Sequence, residues 1–302
     1  MKILVTGVAG FIGSRIAHKF VELGHQVTGI DDLSNGKKSN IPKKCKFINL
    51  DLSNYQKLEK IKTKFDQVHH LAGQSSGEKS FENPSEDLKK NTQTTINLIN
   101  FSKKNGVKKF IYASSQSVYG HVTDKPINEN HETKPLSCYG VSKLASENYL
   151  RIFDKKLDYI IFRINNVYGY GQDLKNLKQG MVSIYLAQAL RNKKILVKGN
   201  LKRYRDFIHI DDVVDSWVKA STNNTIKNII FNLATGRKTT VKKILQIISN
   251  EIKGTKIIFG KNTPGDQNGI YMNINLLKKK IKKNEFIKIE DGLKQLIKDY
   301  IK

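Results

Sequence analysis

Cysteine is nearly absent from this chain: Cys45 and Cys138 are the only two in 302 residues. Two thiols make no disulfide framework, which favours a reducing compartment. Long apolar runs are missing too, and no stretch approaches the ~18 consecutive apolar residues of a membrane-spanning helix. The start, Met1-Lys2-Ile3-Leu4-Val5-Thr6-Gly7, runs straight into a strand and a glycine turn. It lacks the basic, apolar and small-residue layout of a secretory signal. These absences predict a cytoplasmic protein with no membrane partner. Arginine is scarce: seven of the 53 basic residues. A net charge of +26 and a pI near 9.8 invite a nucleic-acid reading. Nucleic-acid readers, however, favour arginine, whose planar fork suits phosphates and bases. Here the lysines are spread along the chain, and only Lys278 to Lys283 forms a dense run, read as a solvated helix face. The composition therefore argues against nucleic acid as the main partner. A positive field still gathers an anionic substrate.

What is present is a rhythm. With 38% apolar residues, the chain can bury a sizeable core, and its length suits two domains or one with an appended lobe. Lys2–Thr6, Gln26–Ile30, Lys46–Asn49, Gln67–Leu71, Lys109–Ser114 and Tyr159–Ile164 read as strands. Phe11–Leu23, Pro84–Lys104 and Ser142–Phe153 read as helices, with Gly24 closing the first. The alternation predicts an α/β fold, a doubly wound parallel (Rossmann) sheet with right-handed crossovers. From Tyr170 the rhythm breaks, although Phe207–Ala220 and Ile229–Leu233 read as a return to the first domain. The expected organisation is a nucleotide-binding domain of residues 1–170 plus about 207–235. A smaller, discontinuous C-terminal α/β substrate lobe takes about 171–206 plus 236–302.

Gly7-Val8-Ala9-Gly10-Phe11-Ile12-Gly13 follows the first strand and opens a helix. Glycines there let the chain turn tightly and approach a pyrophosphate, which meets the helix N-terminus. Asp31 ends the second strand, eighteen residues past Gly13. A carboxylate in that place accepts hydrogen bonds from ribose hydroxyls and repels a 2′-phosphate, which favours NAD over NADP. Asp51-Leu52, after the third strand, falls near the adenine.

Tyr139 and Lys143 are four residues apart and share one face of a helix. A free phenol is a poor base at neutral pH; a neighbouring ammonium and a positive nicotinamide lower its pKa. The pair then serves as a general base. Ser115, after a strand in the same half, can hydrogen-bond both a substrate oxygen and the tyrosine oxygen.

With these residues assembled, the chain resembles the extended short-chain dehydrogenase/reductases of the NAD-dependent epimerase/dehydratase group, and is most similar to the UDP-glucose 4-epimerases. The resemblance rests on Gly7 to Gly13, Asp31-Asp32-Leu33-Ser34-Asn35, His70-Leu71-Ala72-Gly73, Asn91, Ser114 to Gly120, Tyr139 to Lys143, Asn166-Val167-Tyr168-Gly169 and Arg205-Asp206-Phe207-Ile208-His209. It implies that Tyr139 is the base, that Lys143 binds the nicotinamide ribose and tunes Tyr139, and that Ser115 assists. It further implies that NAD meets Gly7, Gly10, Phe11, Ile12, Gly13, Asp31, Asp32, Asn35, Gly36, Asp51, Leu52, Leu71 and Ala72. Asn166 and Arg205 would hold the nucleotide diphosphate, and Asp266 and Ile270 would complete the substrate set. The implied activity is 4-epimerisation of a UDP-sugar, glucose/galactose or the N-acetylhexosamine pair, by a homodimer. The dimer would pair the Pro84–Lys104 and Tyr139–Phe153 helices. The alternatives are a 4-ketosugar reductase and a non-catalytic RNA-binding relative.

Departures from the family pattern sharpen the reading. Dehydratases and decarboxylases of the group resemble one another in carrying an acid just after the catalytic Ser or Thr. This chain has Gln116 and Ser117 there, which favours an epimerase. Thr263 stands where epimerases carry a phosphate-gripping arginine, and Lys261 or Arg203 is a candidate substitute. Ile270, smaller than the tyrosine of some relatives, would leave room for an N-acetyl group. His69, His70 and Trp217 read as core and His209 as structural. No third ligand at metal spacing accompanies the histidine pair, so no metal is expected. Cys138 reads as a small residue beside the site.

Overall fold

Five-to-seven-residue runs rich in Ile, Val and Phe become strands wherever both faces can be covered. The computed structural model describes residues 1–122, 124–153, 157–177, 180–260 and 268–301. Strands β1 (Lys2–Thr6), β2 (Gln26–Asp31), β3 (Lys46–Asn49), β4 (Gln67–His70), β5 (Lys109–Ser115) and β6 (Asp158–Ile164) join Ile229–Leu233 in a seven-stranded sheet. The order is Ile229–Leu233, β6, β5, β4, β1, β2, β3. β1 pairs in parallel with β2 and β4, β2 with β3, and β4 with β5. The chain thus winds outward from β1 to β3 and then restarts at β4 on the other side. A ligand crevice forms at such a switch point, outside the carboxyl ends of the strands. Ile3, Leu4 and Val5 of β1 are wholly buried, as a doubly covered central strand requires.

The helix Phe11–Glu22 ends where Gly24 takes φ +79°, letting the Gly24 and His25 amides reach the Val21 and Phe20 carbonyls at 3.0 Å each. The helix expected over Pro84–Lys104 is broken in type. Pro84–Leu88 and Thr94–Lys104 are α-helical, and Lys89–Gln93 forms a π-helical turn. Two threonine hydroxyls bond back into this turn. Thr94 Oγ1 donates to Lys90 O and Thr95 Oγ1 to Asn91 O, each at 2.7 Å, so side chains occupy carbonyls that the α-ladder would use. A further helix begins at Cys138 rather than Ser142 and runs to Ile152. Ser137 caps it by accepting the Gly140 amide at 3.1 Å. A short helix, Gly77–Glu82, capped by Ser76, had no clear periodic signal.

The chain divides into two compact units. The first holds residues 1–120, 132–163 and 214–231; the second holds 121–131, 164–213 and 232–302. Within the first, Phe162 stacks on Trp217 at 4.7 Å, and Trp217 donates its indole N–H to His69 Nδ1 at 2.8 Å. The sequence grouped Phe207–Ala220 with the first domain. In the structure Phe207–His209 pairs with Asn166–Tyr168 instead of the large sheet, and the chain enters the first unit only at Val214. The second unit also holds a three-stranded sheet of Thr239–Thr240, Tyr204–Arg205 and Gly269–Ile270. Lys194–Lys198 pairs in parallel with Lys256–Gly260. No described helix is long and apolar enough to cross a membrane.

One buried carboxylate ties the second unit together. Asp206 accepts the Thr235 amide at 2.9 Å, the Thr235 hydroxyl at 2.6 Å, the Gly236 amide at 2.8 Å and the Met272 amide at 3.2 Å. Removing it strands four donors. Asp206→Ala is therefore expected to cost about 3 kcal/mol of stability, read as a lowered urea midpoint. A midpoint within error of the wild type would contradict this role.

Candidate active site

The cradle is built by close approach. Gly7 follows β1 with φ +70°, and a Cβ there would stand 2.7 Å from the Ala72 amide nitrogen. A Cβ on Gly13 would stand 2.1 Å from Gly7 O. The helix Phe11–Glu22 has Gly10 as its N-cap, so no side chain occupies its first amides. A helix start of this kind suits a phosphate. Thr6, at the end of β1, holds the two sides of the switch point together. Its Oγ1 accepts the Leu71 and Ala72 amides at 3.3 Å each and lies 2.8 Å from His70 Nδ1. His70 Nε2 lies 3.0 Å from Thr95 Oγ1, which itself donates to Asn91 O. The chain of hydrogen bonds runs in one direction only if Thr6 donates to Nδ1 and His70 donates from Nε2, a neutral imidazole. Burial, with the Lys143 charge adding to it, holds His70 well below the usual histidine range, consistent with that tautomer.

Asp31 braces the turn from inside: its carboxylate accepts the Ala9 amide at 3.0 Å and the Leu33 amide at 2.8 Å. Burial raises its pKa against the pull of those amides, and the Asp32 charge adds to the rise. Two oxygens offer about four lone pairs, so acceptor capacity remains for a ribose. Asn35 and Gly36 lie in the loop that covers the turn, and a Cβ on Gly36 would meet Ala9 Cβ at 2.6 Å. Phe11, Ile12, Leu71 and Ala72 are half-buried around it, and Leu52 is buried with its carbonyl held by Asn97 at 2.8 Å.

Lys90 was not foreseen. Its ammonium bridges Asp32 at 2.7 Å and Asp51 at 2.9 Å. Burial works against its charge, but the two carboxylates prevail and raise its pKa. They lie 58 and 39 residues away in sequence, a separation no local pattern marks.

Ser115, Tyr139 and Lys143 come together. Ser115 ends β5, and the Tyr139 hydroxyl shares a hydrogen bond with it. Lys143, 5% exposed, donates to Ala113 O at 3.0 Å and stands 5.8 Å from the Tyr139 ring centroid. The depression expected from the lysine and a positive nicotinamide together is not produced by the chain alone. Burial pushes the Tyr139 phenol up to about 12; the Ser115 hydrogen bond opposes this and the Asp87 charge adds to it. Burial pulls Lys143 down to about 8 against Asp87 and Glu147. Desolvation is the first influence on Tyr139, so a phenolate there needs positive charge beside it. Gln116 and Ser117 lie in a short turn after β5, and neither can exchange a proton near neutral pH.

Of the residues assigned to the substrate, Asn166, Arg205 and Ile270 lie in the second unit. Asn166 Nδ2 donates to Asn165 Oδ1 at 2.6 Å. Arg205 donates to Tyr204 O at 2.8 Å, and burial, with the Arg203 charge adding, brings its pKa down to about 10. Ile270 is its register partner on the neighbouring strand. Asp266, Thr263 and Lys261 lie outside the described residues. Arg203 donates to Asn200 O at 3.1 Å and to Lys198 O, around Gly199 at φ +83°. Its guanidinium is engaged in its own turn, which speaks against it as the substitute phosphate grip. His209 packs edge-on against Tyr168 at 5.3 Å, a structural role.

A doubly wound sheet with a glycine cradle at its switch point and a Tyr–Ser–Lys group beside it is the build of a dinucleotide-dependent oxidoreductase-type enzyme. The chain belongs to the NAD dependent epimerase/dehydratase family, whose profile matches residues 3–234. It is 36% identical over 301 residues to a putative UDP-glucose 4-epimerase of Methanocaldococcus jannaschii, covering 98% of this chain and 97% of that one. It superposes on a UDP-glucose 4-epimerase of Thermotoga maritima, solved with UDP-glucose, with a TM-score of 0.95 at 32% identity, covering 100% and 99% of the two chains. It superposes on a UDP-glucose 4-epimerase of Thermus thermophilus, solved with NAD, with a TM-score of 0.91 at 27% identity, covering 100% and 99%. Decarboxylases and a reductase of sugar nucleotides are also relatives. This is accordingly a family of NAD-dependent enzymes of sugar nucleotides.

The residues present fit NAD. The cradle leaves no room for a Cβ at Gly7 or Gly13, and Asn91 Oδ1 is a buried acceptor without a partner among the described residues. Gly13→Ala is expected to weaken NAD binding by about tenfold to a hundredfold, read by calorimetry, because the methyl forces the turn apart. Unchanged affinity would show that the turn is not the cradle.

Proposed function

We propose that this protein is a nucleotide-sugar 4-epimerase acting on UDP-hexoses, with NAD retained through turnover and a 4-keto sugar as the transient. The observation that carries this reading is the pair Gln116 and Ser117 directly after Ser115. Loss of water from the sugar ring needs a proton donor and acceptor there, and an amide and a hydroxyl supply neither. NAD held by the Gly7–Gly13 turn and Lys143 would supply reversible hydride transfer at C4. The rest is done by the chain. Tyr139 takes the 4-hydroxyl proton and later gives it back, with Ser115 holding both oxygens in line. Lys143 supplies positive charge beside the phenol and holds the nicotinamide ribose. Asn166 and Arg205 hold the diphosphate, the tether about which the sugar turns over. Burial holds the Tyr139 phenol up at about 12 in the chain alone, and positive charge beside it would favour its phenolate.

The small side chain at Ile270 supports acceptance of N-acetylhexosamines as well. A homodimer completes the reading. Val141, Tyr149 and Ile152, each at least 40% exposed, lie on one face of the helix Cys138–Ile152, and Leu88 is exposed on the neighbouring helix. Light scattering should give twice the 34.4 kDa chain mass, and a monomer at micromolar concentration would contradict the pairing.

The decisive experiment incubates purified protein, with no added cofactor, with UDP-glucose, UDP-galactose and their N-acetyl counterparts, and follows C4 by NMR. Interconversion is expected, and Tyr139→Phe should lower it by at least ~100-fold. Turnover that needs added NADH would identify a 4-ketoreductase instead. Interconversion of the UDP-hexoses without the N-acetyl pair would remove only the Ile270 argument.

A further inference from the structure

Three carboxylates stand at the carboxyl ends of β2 and β3: Asp31, Asp32 and Asp51. Asp31 gives its oxygens to the Ala9 and Leu33 amides. Asp32 and Asp51 are arranged differently. Asp32 Oδ1 accepts the Ser34 amide at 3.0 Å and the Ser34 hydroxyl at 2.6 Å. Asp51 Oδ1 accepts the Ser53 amide at 2.9 Å. In each case one oxygen shapes the residue's own turn. The other, Oδ2, meets Lys90 Nζ, at 2.7 Å from Asp32 and 2.9 Å from Asp51. Two carboxylates drawn this close to one point repel unless a cation stands between them. Burial works against both charges, yet the Lys90 hydrogen bond and the turn donors hold each carboxyl below its usual range.

The lysine comes from a third element, the π-helical turn Lys89–Gln93. On the helix that follows, Asn97 donates to the Leu52 and Ser53 carbonyls at 2.8 and 3.1 Å, a second hold on the loop after β3. The loop after β2 contains Leu33 at φ +60°, a left-handed conformation that a non-glycine residue adopts at a cost. The same loop covers the glycine turn: the Lys37 amide and Asn40 Nδ2 both donate to Ala9 O, at 3.1 and 2.9 Å. Lys90 therefore ties together two loops, one of which lies directly on the cradle. The side chains of Lys90, Asp32 and Asp51 keep 21%, 26% and 39% of their exposure, so the bridge is reached by solvent and is not part of the core.

We propose that Lys90 is a positioning residue for cofactor retention: by bridging Asp32 and Asp51 it closes the loops after β2 and β3 on the adenosine end of NAD. This rests on the reading of the Gly7–Gly13 turn, Asp31, Asp32 and Asp51 as the NAD site. The bridge touches none of Ser115, Tyr139 and Lys143, so it acts on how long the dinucleotide stays.

The test follows the rate at which the purified protein exchanges its bound dinucleotide for radiolabelled NAD. The wild type is compared with Lys90→Met, Lys90→Arg, Asp51→Asn and the double variant Lys90→Met/Asp51→Asn. Asn keeps an acceptor for the Ser53 amide while removing the charge. Lys90→Met should exchange roughly fivefold faster, the scale of a part-exposed ion-pair network. Lys90→Arg keeps the charge and the reach, and should stay within about twofold of the wild type. Because the two residues act through one bridge, the double variant should exchange no faster than the faster of its single variants. Single effects that multiply in the double variant would mean independent roles and would overturn the proposal. Exchange by Lys90→Met at the wild-type rate would overturn it too, as would equal acceleration by Met and Arg. A wild type that neither holds a dinucleotide nor takes up labelled NAD would sink the NAD reading itself, and this proposal with it; every other outcome bears on Lys90 alone.

Discussion

At the carboxyl ends of β1 and β4, the Gly7 backbone lies so near that of Leu71 and Ala72 that a single methyl group would not fit between them. The rest of the site follows from this approach. It places the glycine turn of β1 against the loop leaving β4, with Thr6 bonded to both amides of that loop. From Thr6 the contacts pass through His70 and Thr95 to Asn91, on the π-helical turn. Lys90 and Asn91 sit side by side on that turn. One reaches Asp32 and Asp51, and the other reaches Asp87.

The electrostatics are those of a dry site. Burial is the first influence on Asp31, Tyr139 and Lys143, and each is moved toward its neutral form. The chain alone therefore holds a reluctant base. Tyr139 becomes useful when positive charge gathers near it, from Lys143 and from a bound dinucleotide. Gln116 and Ser117, directly after Ser115, bring no further titratable group to the site.

Much of this was legible in one dimension. Strand and helix periods in the first half are local, so the parallel sheet could be read before its neighbours were known. The Gly7–Gly13 turn, Asp31 and the Tyr139–Lys143 pair keep short, fixed spacings dictated by one turn or one helix face. Lys90 and Asp87 were missed because what they do depends on residues from other elements: Asp32 and Asp51 for one, Gln74 and Ser142 for the other. The upward push on Tyr139 in the chain alone was not legible, because spacing shows the neighbouring charge but not the desolvation. The pairing of Phe207–His209 with Asn166–Tyr168 was missed because a three-residue strand carries no period.

The claim at the centre of this account is that the β1–β4 approach forms a cradle that retains NAD. The most direct test is to denature the purified protein and quantify the nicotinamide dinucleotide released. About one NAD or NADH per chain is the predicted result. Release of NADP, or of no dinucleotide from protein that also fails to take up added NAD, would contradict it.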